Sequence, residues 1–146
     1  MSTPSRADVR RANQSWEALM TTHATMTQRF AGEGMWSEVS MREYDVLYTL
    51  AKADEPLRLS ELQSGVLLSQ PALSRMVDRL VTRGLISRAE DPTDGRAVRI
   101  SLTEAGTTIQ REVGRAHAKS VTREVGGSLT DDELLELERL CRKMIA

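Results

Sequence analysis

Apolar residues along this chain are spaced first at the helical repeat, then alternately, then helically again, and each change of spacing marks a new element. From about Asp8, the residues Val9, Ala12, Trp16, Leu19, Met20, His23, Met26 and Phe30 keep to one face of a helix for about six turns. A helix this long with one persistent apolar face calls for a partner helix along its length. Gly32 and Gly34 end it. Residues 1–7 are polar, small and proline-containing, and are expected to fray.

Three later helix starts share one end signal, a Ser or Thr followed three residues on by Glu or Gln. In that arrangement the hydroxyl caps a backbone N–H and the longer side chain reaches back. The pairs are Ser40 with Glu43, Ser60 with Gln63, and Thr130 with Glu133. Tyr44, Leu47, Tyr48 and Ala51 form the predicted apolar face after Ser40, and Asp54-Glu-Pro56 stops that helix. Leu57-Arg-Leu59 reads as a short extended link, and a short helix follows from Ser60 to about Gly65. Ser69 caps the next helix, and Pro71 sits in its first turn, where a missing N–H costs nothing. Leu73, Met76, Val77, Leu80 and Val81 share its apolar face, and Gly84 is the stop.

The spacing then alternates. Leu85–Glu90 and Ala97–Leu102 read as two strands, with Val98, Ile100 and Leu102 facing inward and Arg99 and Ser101 outward. Asp91-Pro-Thr-Asp-Gly-Arg96 between them is dense in turn formers, so the pair is a hairpin with a projecting tip. Thr103 caps a long helix running to Gly126-Gly127, with Ala105, Ile109, Val113, His117, Val121 and Val125 every fourth residue. A step of four overshoots the helical repeat by about 40°, so this stripe winds and should serve two neighbours. A last helix, Thr130 to Met144, presents Leu134, Leu137, Cys141 and Met144, with Leu140 and Ile145 alongside.

This order predicts a mainly α fold with a small β-hairpin, and residues 40–102 form a winged helix-turn-helix. The helix capped by Ser69 would enter the major groove, which admits one helix. Gln70, Ser74, Arg75, Asp78, Arg79 and Arg83 lie opposite the apolar face. Arg75 and Arg79 are one turn apart, and arginine can grip guanine O6 and N7 or clamp a phosphate. Gln70 and Ser74 suit base edges or phosphates, and Asp78 suits the orienting of a neighbouring arginine. Ser60 is read first as a helix cap and second as a phosphate contact.

Composition adds one restriction. The formal net charge is −1, so any nucleic-acid surface must be a local patch. Between Ser69 and Arg99 six arginines face four acids, whereas from Leu129 to Ala146 five acids face three bases. The single cysteine, Cys141, excludes an internal disulfide and a cysteine cluster. With no apolar run of about 18 residues and no secretion-signal pattern, the expectation is a cytoplasmic protein without membrane association.

Leu59-Ser-Glu-Leu62, Ser69-Gln-Pro-Ala-Leu-Ser-Arg-Met-Val-Asp-Arg-Leu80, Arg83-Gly-Leu-Ile86, Asp91-Pro-Thr-Asp-Gly-Arg96 and Leu102-Thr-Glu-Ala-Gly106 together resemble the MarR family, the multiple antibiotic resistance regulators. The resemblance runs from the first helix to the last. It implies a single domain over 1–146, with 40–102 as the DNA-binding lobe and 8–31 and 103–146 as dimerisation helices. It also implies a homodimer that represses from a pseudopalindromic operator on double-stranded DNA, released by a small aromatic anion. By resemblance, Arg96 of the wing is the minor-groove residue and Asp94 braces the tip. The family often has a second basic residue next, where this chain has Ala97; Arg99 is expected to replace it in part.

The DNA-binding set is therefore Ser60, Ser69, Gln70, Ser74, Arg75, Arg79, Asp94, Arg96 and Arg99. Trp16, Met20, His23 and Tyr44 are read as core packing, with a ligand cleft between the two lobes as the second reading. His117 reads as an interface histidine and Cys141 as core. No cysteine stands in the N-terminal helix, where peroxide-sensing members of the family carry one. Gly32-Glu-Gly34 lacks both the third glycine and the preceding strand of a dinucleotide loop. No His-Glu-x-x-His, Cys-x-x-Cys or catalytic pair is present, so no enzyme, cofactor or metal is expected. The alternative is a protein-interaction module that keeps the winged fold without binding DNA.

Overall fold

Ser40 and Glu43 satisfy each other as the capping pattern requires: the Ser40 hydroxyl accepts the Glu43 N–H at 3.1 Å, and the Glu43 carboxylate accepts the Ser40 N–H at 2.9 Å. Thr130 and Glu133 repeat the arrangement at 3.2 and 3.0 Å. In the computed structural model, which describes residues 2–146, the elements are α1 (Arg6–Ala31), a 3-10 turn (Gly34–Trp36), α2 (Met41–Lys52), β1 (Leu57–Arg58), α3 (Leu59–Gln63), α4 (Gln70–Thr82), β2 (Ile86–Glu90), β3 (Val98–Leu102), α5 (Glu104–Val121), a π-helical turn (Thr122–Gly126) and α6 (Asp131–Ile145).

Four local expectations are corrected. Of residues 1–7, expected to fray, Met1 lies outside the described residues. The helix already starts at Arg6, because Ser5 and Asp8 form a capping box of their own. The short third helix starts at Leu59, not Ser60; the Arg58 N–H donates to Glu61 Oε1 at 3.0 Å, and Ser60 lies inside the first turn. Leu57–Arg58 is a strand rather than a link, pairing antiparallel with β3 through Leu57 opposite Ile100 and Arg58 opposite Arg99. The hairpin is thus part of a three-stranded sheet in the order β1-β3-β2. In β3, Ile100 is buried, but Val98 at the hairpin end is exposed, contrary to the alternation.

Contacts divide the chain into two units. Residues 35–122 hold the core: Val46, Leu47 and Leu50 of α2, Leu62 of α3, Leu73, Met76, Val77 and Leu80 of α4, Ile86 and Ile100 of the sheet, and Val113 of α5. Residues α2 was expected to bury differ in part. Tyr44 and Leu47 are inside, yet Tyr48 and Ala51 are exposed while Val46, Thr49 and Leu50 are buried, because α2 is flanked by α3, β3 and α5 together. The other unit, residues 1–34 and 123–146, has no fully buried side chain in α1 or α6. Its long-range ties include Arg29 to Glu124 at 3.0 Å and Arg123 to Glu33. Cys141, expected in the core, is half-buried.

A tight junction orients α4. Gly84 ends the helix in the left-handed region at φ 74°, its N–H donating to the Val81 carbonyl at 2.9 Å and that of Leu85 to the Leu80 carbonyl at 3.0 Å. This is the glycine-terminated C-cap. The Leu85 carbonyl then accepts the Thr103 N–H at 3.1 Å, and the Thr103 hydroxyl donates to the Gly84 carbonyl at 2.6 Å while accepting the Gly106 N–H at 3.0 Å. The end of α4 is thereby stitched to the start of α5. A Cβ on Gly106 would stand 1.9 Å from the Leu85 carbonyl oxygen, whereas one on Gly95 at the wing tip would meet nothing within 4 Å. Gly106→Ala should destabilise the fold by at least about 1–3 kcal/mol, and Gly95→Ala by less than about 0.5 kcal/mol. Thermal melts of the two variants check this; equal melting temperatures would count against the junction.

Candidate nucleic-acid interface

Helix α4 is built from both its ends. Ser69 caps it by accepting the Ala72 N–H at 3.3 Å, Pro71 occupies the first turn, and Gly84 closes it. Leu73, Met76, Val77 and Leu80 are buried, which turns Gln70, Arg75, Asp78 and Arg79 outward, with Ser74 half-buried. Among the described residues, no hydrogen bond or ion pair engages the guanidinium groups of Arg75, Arg79 or Arg96, and all three residues are exposed.

Of the acids nearby, Asp78 and Asp91 are engaged by arginines. Asp78 on α4 is ion-paired with Arg88 on β2, a tie from this helix to the wing. The arginine that Asp78 orients is thus on another element rather than on its own helix. Arg83 is paired with Glu43 at 3.0 Å and also donates to the Glu38 carbonyl, so it secures α4 to α2.

Asp91 is the centre of the wing. Its side chain is wholly enclosed (0% exposed). Oδ1 accepts the Thr93 N–H at 2.8 Å and the Thr93 hydroxyl at 2.7 Å. Oδ2 accepts Arg58 Nε at 2.9 Å, a second Arg58 guanidinium nitrogen at 2.8 Å and Arg99 Nε at 2.9 Å. These bonds hold its carboxyl far below the usual aspartate range, the two from Thr93 most of all, with Arg58 and Arg99 adding to them. Arg99, expected to supplement the wing's DNA contact, also donates to the Pro56 carbonyl at 3.1 Å and so is committed at the wing's base. Asp94 accepts the Arg96 N–H at 3.1 Å on Oδ1 and the Ala97 N–H at 3.0 Å on its carbonyl, which shapes the tip beneath Arg96. The role of Asp91 was missed in the sequence, where it read only as a turn former.

A groove of about 380 Å³ runs between α4 and the wing, lined among others by Arg58, Ser60, Gln70, Ser74 and Arg88. Sequence-predicted residues Ser60, Gln70 and Ser74 therefore share one groove, while Arg96 stands at the tip. Trp16, Met20 and His23 lie exposed on α1, which contradicts core packing for them within one chain. Tyr44 is buried.

A larger cavity of about 830 Å³ opens between α2 and α5, with Tyr44, Tyr48, Gln110, Arg111, Arg115 and His117 in its lining. Of the residues named for a ligand cleft, Tyr44 alone lines it. Trp36, Tyr44 and His117 meet edge to face with ring centroids 5.4–5.7 Å apart, a favourable aromatic geometry. Burial holds the His117 imidazole below its ordinary pKa, opposed by the charge of Asp45, and burial pushes the Tyr44 phenol up.

An exposed helix with free guanidinium groups, braced against a wing with an arginine at its tip, defines a winged helix-turn-helix of the DNA-binding kind. Residues 39–98 match the model of the MarR family. The chain is 34% identical over 110 residues to the multiple antibiotic resistance protein MarR of Escherichia coli (strain K12), an alignment covering 74% of each chain. Among solved structures, mutant MarR from E. coli complexed with operator DNA is similar at TM-score 0.72 and 27% identity, over 88% of this chain and 94% of that one. AbsC, a MarR family transcriptional regulator from Streptomyces coelicolor, shares the fold at TM-score 0.79 and 21% identity, over 99% and 96%. The chain belongs to the MarR family of transcriptional regulators. Among the described residues, no helix is long and apolar enough to cross a membrane.

Two pH dependences follow from the shifted groups. Asp91 stabilises the fold fully above the unfolded aspartate pKa of about 3.9, and the contribution is lost as pH falls toward the depressed folded value. Urea midpoints taken downward from pH 5 should drop more steeply for the wild type than for Asp91→Asn; parallel curves would contradict the brace. His117 is a base with a lowered folded pKa, so below about 6.5 the unfolded chain takes up a proton first and stability declines until the folded value is passed. His117→Phe should flatten that part of the profile, measured by the same titration.

Proposed function

We propose that the chain is a repressor that binds a pseudopalindromic double-stranded operator as a homodimer. The observation that carries this reading is the state of the charges at the DNA-facing side. Asp78 and Asp91 are neutralised within the fold, and Arg75, Arg79 and Arg96 are left without acidic partners. A major-groove helix carrying Gln70, Ser74, Arg75 and Arg79 and a wing carrying Arg96 suit base edges and a narrow minor groove respectively. Ser60 and Ser69 suit phosphates beside the groove, and Asp94 presents Arg96. We assign Arg99 to the base of the wing rather than to direct contact.

A second copy suits the remaining apolar surface. Trp16 (59% exposed) on α1 and Leu135 (65%), Met144 (64%) and Ile145 (86%) on α6 are unusually open for such large apolar side chains. Two-fold pairing would set two recognition helices about one DNA turn apart. Repression then follows from occupancy of a promoter in the cytoplasm.

Release by a small aromatic anion is supported by the cavity between α2 and α5, where tyrosine and histidine rings stand beside Arg111 and Arg115. A ligand there would lower operator affinity only by its preference for the form that binds DNA poorly.

Sequencing duplexes enriched from a random pool, then fluorescence anisotropy at fixed salt, tests the function. Arg75→Ala should cost about 1–3 kcal/mol of operator binding and relax one base position. Arg96→Ala should weaken binding without altering the major-groove preference. Enrichment of no sequence, with both variants binding as the wild type does, would favour a protein-interaction module instead. A screen of phenolic acids should yield compounds that release the operator, and Arg115→Ala should blunt their effect.

A further inference from the structure

We propose that Asp91 determines specificity by withholding two arginines, Arg58 and Arg99, from the nucleic-acid backbone, an inference that rests on the DNA-binding reading above. Arg58 and Arg99 are directly opposite each other across β1 and β3. Like charges in that position repel, and a sheet normally avoids them. Here one enclosed carboxylate lies against both, accepting Arg58 through two nitrogens and Arg99 through Nε. With Thr93 on the other oxygen, its acceptor positions are filled.

The acid is sealed, but its partners are near the surface. The side chains of Arg58 and Arg99 are 40% and 27% exposed. Arg58 lines the groove between α4 and the wing, beside Ser60, Gln70 and Ser74, where a phosphate backbone would run. Released there, a long cationic side chain would seek any phosphate, and phosphate contacts carry no sequence information. Held by Asp91, neither arginine is available. Arg88 is likewise occupied by Asp78. Of the wing's arginines, this leaves Arg96 as the one whose guanidinium has no partner among the described residues. The wing then reads the minor groove at one point, on a base that cannot swing.

The test is the salt dependence of binding, measured by anisotropy with the enriched duplex and with a scrambled one. Each phosphate neutralised contributes about 0.9 to the slope of log affinity against log salt. Asp91→Asn should steepen the slope on the scrambled duplex by about one to two units, tighten binding to it at low salt, and cut the enriched-to-scrambled affinity ratio about tenfold, the scale of one lost base-reading contact. A brace with no electrostatic role would instead weaken both duplexes in proportion and leave the slope unchanged or shallower, and that result overturns the inference. Should Asp91→Asn fail to fold, Arg58→Gln and Arg99→Gln decide the matter. Each should leave the wild-type slope unchanged, whereas Arg75→Gln and Arg96→Gln should each lower it by about 0.9. A comparable loss for Arg58→Gln or Arg99→Gln overturns the inference. A wild type that prefers no duplex removes the proposed function and this inference with it; a wild type that discriminates, with the slopes unmoved in Asp91→Asn, removes this inference alone.

Discussion

Two arginines placed opposite each other in a three-stranded sheet would push β1 and β3 apart, and the wing would have no fixed base. The carboxylate of Asp91 turns that repulsion into a three-way tie. Charge-assisted hydrogen bonds are stronger than neutral ones, and a carboxylate removed from water is costly unless all its oxygens are served. Asp91 meets that condition through Arg58, Arg99 and Thr93 at once. The tie also reaches beyond the sheet. Arg58 directly precedes α3 and donates its backbone N–H to Glu61, so the base of the wing and the start of the helix-turn-helix share a residue. Arg99 extends the tie to the Pro56 carbonyl just before β1.

The other end of the wing is held by backbone. α4 ends on Gly84, and the next carbonyl, that of Leu85, accepts from Thr103 and lies against Gly106. A side chain at 106 has no room there, and a residue other than glycine at 84 would be strained at its positive φ. Recognition helix, wing and α5 are therefore fixed to one another through a few backbone atoms. The Asp78–Arg88 and Arg83–Glu43 pairs then hold the solvent side of the same helix. Exposed ion pairs contribute little stability individually. Here they occupy charge that would otherwise sit beside the exposed arginines of α4.

What was legible in the sequence is what neighbouring residues decide. Ser40 with Glu43, Thr130 with Glu133, Ser69 with Pro71, and Gly84 are signals within a turn or so of chain, and each marks the end it was read to mark. The apolar face of α4 was equally plain, because one side of that helix is buried and the other is not. α2 was read less well, since it is enclosed on more than one side and a single-face pattern leaves out Val46 and Leu50. β1 is too short for an alternation to appear, and only its pairing with β3, some forty residues on, makes it a strand. The Ser60 cap failed for a similar reason: Glu61 answers the N–H of Arg58, which that pairing has already placed.

The site divides in the same way. Arg75 and Arg79 could be picked out because periodicity says which way they face, and Arg96 because the wing motif resembles the family's; all three are exposed. Arg83, Arg88 and Arg99 carry the same charge in the same stretch of chain, yet each is occupied by a group outside its own element: Glu43, Asp78 and Asp91. Local charge counting makes all six arginines equivalent; tertiary pairing separates them into three that hold the lobe together and three that remain available. A reader of DNA needs that separation. Every cation left mobile near a duplex adds affinity for all sequences alike, so on the proposed reading discrimination would depend as much on the arginines that are restrained as on those that are presented. The net charge of −1 fits the proposed reading, in which a few placed guanidinium groups would stand in for a broad positive field.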